Sequence, residues 1–340
     1  MTAHWRSGAS VLAVALLTGC GTAGLGLDEL PKAPIAVAYW EGEPARRRAE
    51  LLEEEREVRR QKVGVAHMDS IRRFLGVARE RSQLSRYPGQ LALIDPITGE
   101  VKPVTGAPRG SLPLAWTRDH DRLLFLSNHK RRIQVYEYSL TSDEVRTITY
   151  GDRPHLYADY GLGEQLALLQ VVNEGKRQFE RVFVTDVEGG SPRLLFQSRN
   201  AEVVRLSPDG KTLVYVRRSV SKRGRPDVSS VLVALDIATG EERDLGPGRE
   251  PAFSPNGDWI VYSAPSRDGW RLRRMRPDGS ARSPIAAGIR DEKMPSVSPD
   301  GRFVGYVRES TGLDRLFVRR IDGTGDRILL DAGAVFAPVW

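Results

Sequence analysis

Short segments in which apolar and polar residues alternate recur along most of the chain, and several follow a tight-turn motif. Ser-Pro-Asp/Asn-Gly precedes such a segment three times, at residues 207–210, 254–257 and 298–301. Alternation with a period of two predicts half-buried strands. Pro followed by Gly favours a tight turn between two of them. The motifs start 47 and 44 residues apart, and a β-rich repeat of this length is typical of propeller blades.

A second turn motif lies farther along each repeat. Asp followed by Thr-Gly or Gly-Thr-Gly occurs within 94–100, 235–241 and 321–326, and degenerate copies of the first hairpin occupy 116–126 and 161–169. Two hairpins in each repeat give four antiparallel strands, which make one blade. The pattern therefore predicts an all-β, six-bladed β-propeller.

The two ends of the repeat region predict how the ring closes. Residues 73–80 match 302–309 almost position for position, but no first strand precedes them, whereas 334–340 resemble the start of a first strand. We expect the C-terminal strand to be the innermost strand of the first blade, beside the strand at 73–79, because such closure leaves no open edge. The predicted propeller domain spans 67–340.

The N-terminal residues predict a lipoprotein signal peptide over 1–19. Arg6 and a short apolar run precede Leu17-Thr-Gly-Cys20, which resembles a bacterial lipobox, and Cys20 is the only cysteine in 340 residues. The run is shorter than the ~20 residues of a membrane-spanning helix. We expect Cys20 to carry lipid, the alternative being an ordinary secretory peptide with an incidental cysteine. Gly21 favours the periplasmic side of the outer membrane over the inner membrane.

Two further segments precede the predicted propeller. Residues 20–44 are rich in Gly, Pro and Ala and predict a flexible tether, while 45–66 combine many Arg and Glu residues with a thin apolar stripe and predict a charged helix. A solvated spacer is favoured over a partner-binding helix. The net charge of +7 would suggest nucleic acid for a cytoplasmic protein, but export argues against that partner.

The repeat motifs carry a family resemblance. Ser-Pro-Asp-Gly before an alternating strand, with Asp and Thr-Gly at the second hairpin, resembles the TolB-like six-bladed propellers over about residues 67 to 340. The named periplasmic member acts in the Tol–Pal envelope system, binds the peptidoglycan-associated lipoprotein, and has a small α/β domain ahead of its propeller. This chain has a tether and a helix there instead. The resemblance implies the propeller fold and a general role as an envelope scaffold.

Residues that could support catalysis or bind a metal are few. The five histidines are scattered, and Asp119-His-Asp121 occupies the position of a hairpin turn, so a polar turn is favoured over a ligand set. Ser219 and Lys222 fit a Ser-x-x-Lys pattern without companion motifs, and no Gly-x-Ser-x-Gly elbow or phosphate-binding loop occurs. We expect no catalytic residue, metal or cofactor. The alternative is an enzyme or carbohydrate-binding protein with a site in the central channel.

Charge separates between the two mouths of the predicted ring. The turns within hairpins carry mostly Asp, whereas the loops between second and third strands are basic. The predicted partner-binding residues on the basic mouth are Arg131, Arg132, Lys176, Arg177, Lys222, Arg223 and Arg225. The sequence thus predicts a monomeric, noncatalytic, lipid-anchored scaffold that binds an envelope protein or an anionic envelope polymer.

Overall fold

The computed structural model describes most of the chain from Gly24 onwards. The described residues are 24–42, 45–47, 50–51, 53–54, 57, 89–128, 133–163, 165–175, 177–187, 190, 192–218, 230–266, 269–285, 291–310, 313–331 and 334–340. Cys20, the predicted strand at 73–79 and most of the predicted basic mouth lie outside them.

Twenty-four strands form six four-stranded antiparallel sheets in the described part of the chain. Blade 1 contains β24 (Ala334–Val339), β1 (Ile35–Trp40), β2 (Gln90–Ile94) and β3 (Val101–Pro103). Blade 2 contains β4 (Leu112–Trp116), β5 (Arg122–Ser127), β6 (Gln134–Ser139) and β7 (Glu144–Thr147). Blade 3 contains β8 (His155–Tyr160), β9 (Gln165–Glu174), β10 (Arg177–Asp186) and β11 (Arg193–Ser198).

The other three blades repeat the same order from the innermost strand outwards. Blade 4 contains β12 (Ala201–Leu206), β13 (Thr212–Arg218), β14 (Ser230–Asp236) and β15 (Glu242–Pro247). Blade 5 contains β16 (Arg249–Phe253), β17 (Ile260–Ser266), β18 (Gly269–Met275) and β19 (Ser283–Pro284). Blade 6 contains β20 (Glu292–Val297), β21 (Phe303–Ser310), β22 (Leu313–Arg320) and β23 (Arg327–Leu330). The predicted all-β, six-bladed propeller is confirmed.

The strand that closes the ring corrects one prediction. The C-terminal β24 is innermost in blade 1, as expected, but its neighbour is β1, with Ala38 opposite Phe336 and Trp40 opposite Ala334. The assignment of 73–79 to this place is wrong, and so is the extension of a flexible tether to residue 44. Residues 35–38 are fully buried, and a strand covered on both faces is a continuous apolar run without alternation.

The chain around the predicted helix is described only in part. The described residues between Ala45 and Glu57 are helical, and Ala45 and Leu51 are buried. Residues 58–66 of the predicted helix lie outside the described residues. A short 3₁₀ turn, Leu27–Glu29, precedes β1.

Each hydrophobic cluster lies between neighbouring blades. Val214 and Val216 of blade 4, for example, share one cluster with Ile260 and Tyr262 of blade 5. These faces pack sheet against sheet, so burial of apolar area holds the ring together.

The Ser-Pro-Asp-Gly turns have a common hydrogen-bond pattern that fixes the mouth of the ring. The Ser207 hydroxyl donates to Asp209 over 2.6 Å and accepts from the Thr212 amide over 2.9 Å, and Gly210 has a φ of +70°. Thr117 and Asp119 reproduce this arrangement in blade 2, with His120 at a φ of +58° in the place of glycine. Asp119-His-Asp121 is therefore a turn, as the sequence predicts.

Candidate binding site at the central mouth

The inner ends of all six blades line one cavity of about 800 Å³. It opens at the mouth formed by the turns between first and second strands. The second residue of each of these turns lies at its rim: Arg118, Leu162, Pro208, Pro255 and Pro299 in blades 2 to 6. All of these side chains except Arg118 are apolar, and Leu162 is 55% exposed. The mouth therefore has a mostly apolar rim.

Arg205 on β12 links four innermost strands beneath this mouth. Its guanidinium donates to the carbonyls of Leu114 on β4 (2.7 Å) and Pro251 on β16 (3.2 Å), and to Asp159 on β8 (3.2 Å). The guanidinium also lies 5.0 Å from the centre of the Tyr157 ring. One side chain thus connects blades 2, 3, 4 and 5.

Asp159 has a partner for each of its two carboxylate oxygens. One accepts from Arg205 and the other accepts from the Leu206 amide over 2.7 Å. Burial raises the pKa of Asp159 to about 6, against the opposing effect of Arg205. Since both oxygens are engaged, this carboxyl is a structural link between blades 3 and 4.

Aromatic rings line the part of the cavity near blades 1 and 2. The Trp116 ring stacks on His120 with 5.6 Å between ring centres, and its Nε1 donates to the Val339 carbonyl over 3.1 Å. The buried His120 Nε2 has no hydrogen-bond partner among the described residues. Burial lowers the pKa of His120 from its usual value.

Side chain-to-backbone hydrogen bonds continue these links around the ring. The Met294 amide donates to Glu250 across blades 5 and 6, and the Trp340 amide donates to the Ser296 hydroxyl across blades 6 and 1, both over 2.7 Å. Together with Asp159 and Arg205 they hold the inner strands in one framework. The cavity is therefore preformed.

The chemistry available in the cavity is suited to binding. Asp119 and Asp300 hold their own turns, and Asp159 is engaged. In the described part of the chain no three His, Cys, Asp or Glu side chains are grouped to hold a metal ion. An apolar rim, the exposed Arg118 and the His120 ring remain to contact a ligand.

Of the predicted partner-binding residues, the described ranges contain only Arg177. It is exposed at the start of β10, opposite Glu174 in the hairpin register, at the mouth remote from the cavity. The sequence analysis missed Arg205 and Asp159. Aligned on the turns, both fall two residues before the turn begins, where blades 2, 5 and 6 have Ala115, Ala252 and Ser296. A charged residue at this aligned position is the signal that could have revealed them.

Comparison with known proteins identifies relatives. No protein-family model matches the chain. It is 29% identical over 191 residues to a TolB homologue of Chlorobium luteolum, which covers 55% of this chain and 42% of that protein. The crystal structure of TolB from Acinetobacter baumannii superposes with a TM-score of 0.59 at 19% identity, over 74% of this chain and 62% of that one. In sequence and in fold, this chain is similar to the TolB propellers.

A second relative has no assigned function. An uncharacterized protein of Agrobacterium fabrum is 28% identical to this chain over 197 residues, which are 56% of this chain and 64% of the relative. The alignments thus span less than two thirds of either curated relative. In the described part of the chain no helix is both long and apolar enough to cross a membrane.

Proposed function

We propose that this protein is a noncatalytic, lipid-anchored binding module of the cell envelope, and that its central mouth takes up a segment of an envelope protein. The observation that carries the proposal is the cavity of about 800 Å³ framed by the rigid turns of the inner strands. Its volume is in the range of ligand sites that bury a few side chains. Its exposed Arg118 is a residue type that often anchors protein interfaces, and the exposed Leu162 offers apolar area that a partner can bury.

The cavity favours a polypeptide over a sugar or a reacting substrate. Sugar binding uses an accessible aromatic face, but Trp116, Tyr160 and Trp340 in the cavity lining are at most 9% exposed, and Phe253 is only partly exposed. Acid–base catalysis needs a carboxyl or imidazole free to reach a substrate, and Asp159 is held by Arg205 and Leu206. Neither Asp159 nor Trp116 therefore supports the enzyme and carbohydrate alternatives. His120, whose buried Nε2 has no partner among the described residues, is the imidazole that an enzyme would have to bring to its substrate. Binding by the basic mouth stays a prediction.

The anchor is the second part of the proposal. Leu17-Thr-Gly-Cys20 supplies the sole cysteine at the position that lipidation requires, and two or more acyl chains hold a protein firmly on a membrane. We expect Cys20→Ala to move the protein from the detergent phase to the aqueous phase in phase partition. Retention in the detergent phase would contradict lipidation.

The binding site is tested with a matched pair of substitutions in blade 3. Leu162 at the rim and Leu194 on the outer strand are 55% and 49% exposed, so a charge at either costs little stability. After cross-linking in intact envelopes, Leu162→Asp should lose most of the captured partner, whereas Leu194→Asp should capture as much as wild type. Equal capture by the two variants would remove the central mouth as the site.

A further inference from the structure

The chain ahead of β1 is docked on the propeller. Residues 24–34, here called the strap, place Leu25 and Leu30 in the core cluster of blades 6 and 1, where they are 4% exposed. The Glu29 carboxylate accepts from Arg320 over 2.6 and 2.7 Å. Arg302 donates to the Glu29 carbonyl over 3.1 Å, and Arg327 to the Leu25 carbonyl over 3.0 Å. The strap is thus held by apolar burial and by three arginines of blade 6.

These contacts place the strap at the same mouth as the central cavity. Arg302 directly follows the turn at 298–301, and Arg320 and Arg327 flank the turn between β22 and β23. Where the strap continues into β1, Ile35 lies opposite Ile94, next to the turn between β2 and β3. All of these turns belong to the mouth formed by hairpin turns, here called the turn mouth.

The docked strap leaves very little chain between the propeller and Cys20. Gly24 is four residues beyond Cys20, and a chain spans at most ~3.3–3.6 Å per residue. The anchor therefore lies within about 14 Å of Gly24 in any conformation. If the strap were free, the chain from Cys20 to Ile35 could span about 50 Å.

We propose that the strap orients the propeller on the membrane, with the turn mouth facing the lipid surface and the opposite mouth facing away. This inference rests on the proposed lipidation of Cys20. This orientation also restricts which partner can enter the central cavity. A segment that lies close to the bilayer surface, as in a membrane-attached protein, reaches the turn mouth. A partner remote from that membrane meets the opposite mouth.

Two serines of blade 5 allow a matched measurement. Ser280 lies in the turn between β18 and β19, and Ser266 ends β17 at the opposite mouth; both are exposed. Because lipidation consumes the only native thiol, Ser280→Cys or Ser266→Cys gives one labelling site. The lipidated full chain is labelled with an environment-sensitive fluorophore and reconstituted into phosphatidylcholine–phosphatidylglycerol vesicles whose headgroups carry a quencher. We expect several-fold stronger quenching at 280 than at 266.

Charge reversal at the strap provides the control. Glu29→Lys places a cation against Arg320 and Arg302 and should release the strap, so quenching at 280 and 266 should become similar while the protein stays on the vesicles. Asp28→Lys makes the same charge change at an exposed neighbour and should preserve the difference. Equal quenching of the vesicle-bound Ser280→Cys and Ser266→Cys proteins, with the native strap, would overturn the orientation. Failure of the wild type to bind vesicles at all would instead contradict the lipid anchor.

Discussion

The innermost strand of blade 3 buries a different titratable group near each end. At the start of β8, His155 is 5% exposed, with Nδ1 3.2 Å from Gln134 Oε1 and Nε2 3.0 Å from Gln170 Nε2. Near the end of β8, Asp159 is 7% exposed and is paired with Arg205. The first arrangement joins blades 2 and 3 through neutral groups. The second joins blades 3 and 4 through opposite charges.

Burial affects the two groups in opposite directions. It lowers the pKa of His155 to about 4 and raises the pKa of Asp159 to about 6, since a charged form is disfavoured away from water. For His155 the unfolded chain binds more protons than the folded one between about pH 4 and 6.5, so folding stability rises with pH. For Asp159 the folded chain binds more protons between about pH 4 and 6, so stability falls as pH rises. The two contributions oppose each other in wild type.

Removing the Arg205 cation, which pairs with Asp159, should have the largest effect on the free energy of unfolding. Arg205→Ala leaves Asp159 buried without its counter-charge and frees the carbonyls of Leu114 and Pro251. Breaking a buried pair in this way costs about 3–5 kcal/mol. Denaturant unfolding at pH 8 should show that loss, and a smaller one at pH 5, because the unpaired carboxyl then takes up a proton.

A surface arginine provides the control for that measurement. Arg217 pairs with Glu242 and Asp244 but its side chain is 38% exposed, so Arg217→Ala should cost less than about 1 kcal/mol. Equal losses for the two variants would show that Arg205 adds nothing beyond a surface contact.

These two buried groups also show what sequence patterns can and cannot predict. The turns at 207–210, 254–257 and 298–301 were predictable because Pro and Gly act locally on the backbone. The pairing of Asp159 with Arg205 depends on neighbouring blades that the ring brings together, 46 residues apart. Strand β1 was missed for a related reason: its partner β24 is about 300 residues away, and its apolar run carries no alternation.

The likeness of 73–80 to 302–309 led to the wrong neighbour for β24. Similar local sequence can occur at two places, but only one strand can pair in register with the C-terminal segment. The burial of Ile35 to Ala38 identifies that strand. Register between distant segments is set by three-dimensional packing, so the closing pair could not be read from the repeat alone.

Removing the imidazole should have an intermediate effect. His155→Gln deletes the group that increases stability with pH, a contribution of about 2 kcal/mol between pH 5 and 7. From pH 5 to pH 7 the free energy of unfolding of the variant, measured relative to wild type, should therefore fall by about 2 kcal/mol. From pH 7 to 8 the difference between the two proteins should stay constant. Urea unfolding at half-unit steps of pH measures the difference. Parallel curves below pH 7 would mean that His155 is protonated as readily in the folded protein as in the unfolded chain.

Replacing the Asp159 carboxyl with an amide should have the smallest effect on the pH dependence of stability. Its sign should be opposite to that of His155→Gln. Asp159→Asn keeps one acceptor oxygen, which can serve either the Leu206 amide or Arg205, so its overall stability should fall. It also removes the titration, which lowers wild-type stability by about 1 kcal/mol between pH 5 and 7. The difference in stability between this variant and wild type should therefore shift in favour of the variant by about 1 kcal/mol from pH 5 to pH 7. Since the two ends of β8 act independently, the variant with both His155→Gln and Asp159→Asn should show the algebraic sum of the two pH effects. A double variant that departs from this sum would mean that protonation at one end of β8 changes the protonation of the group at the other end.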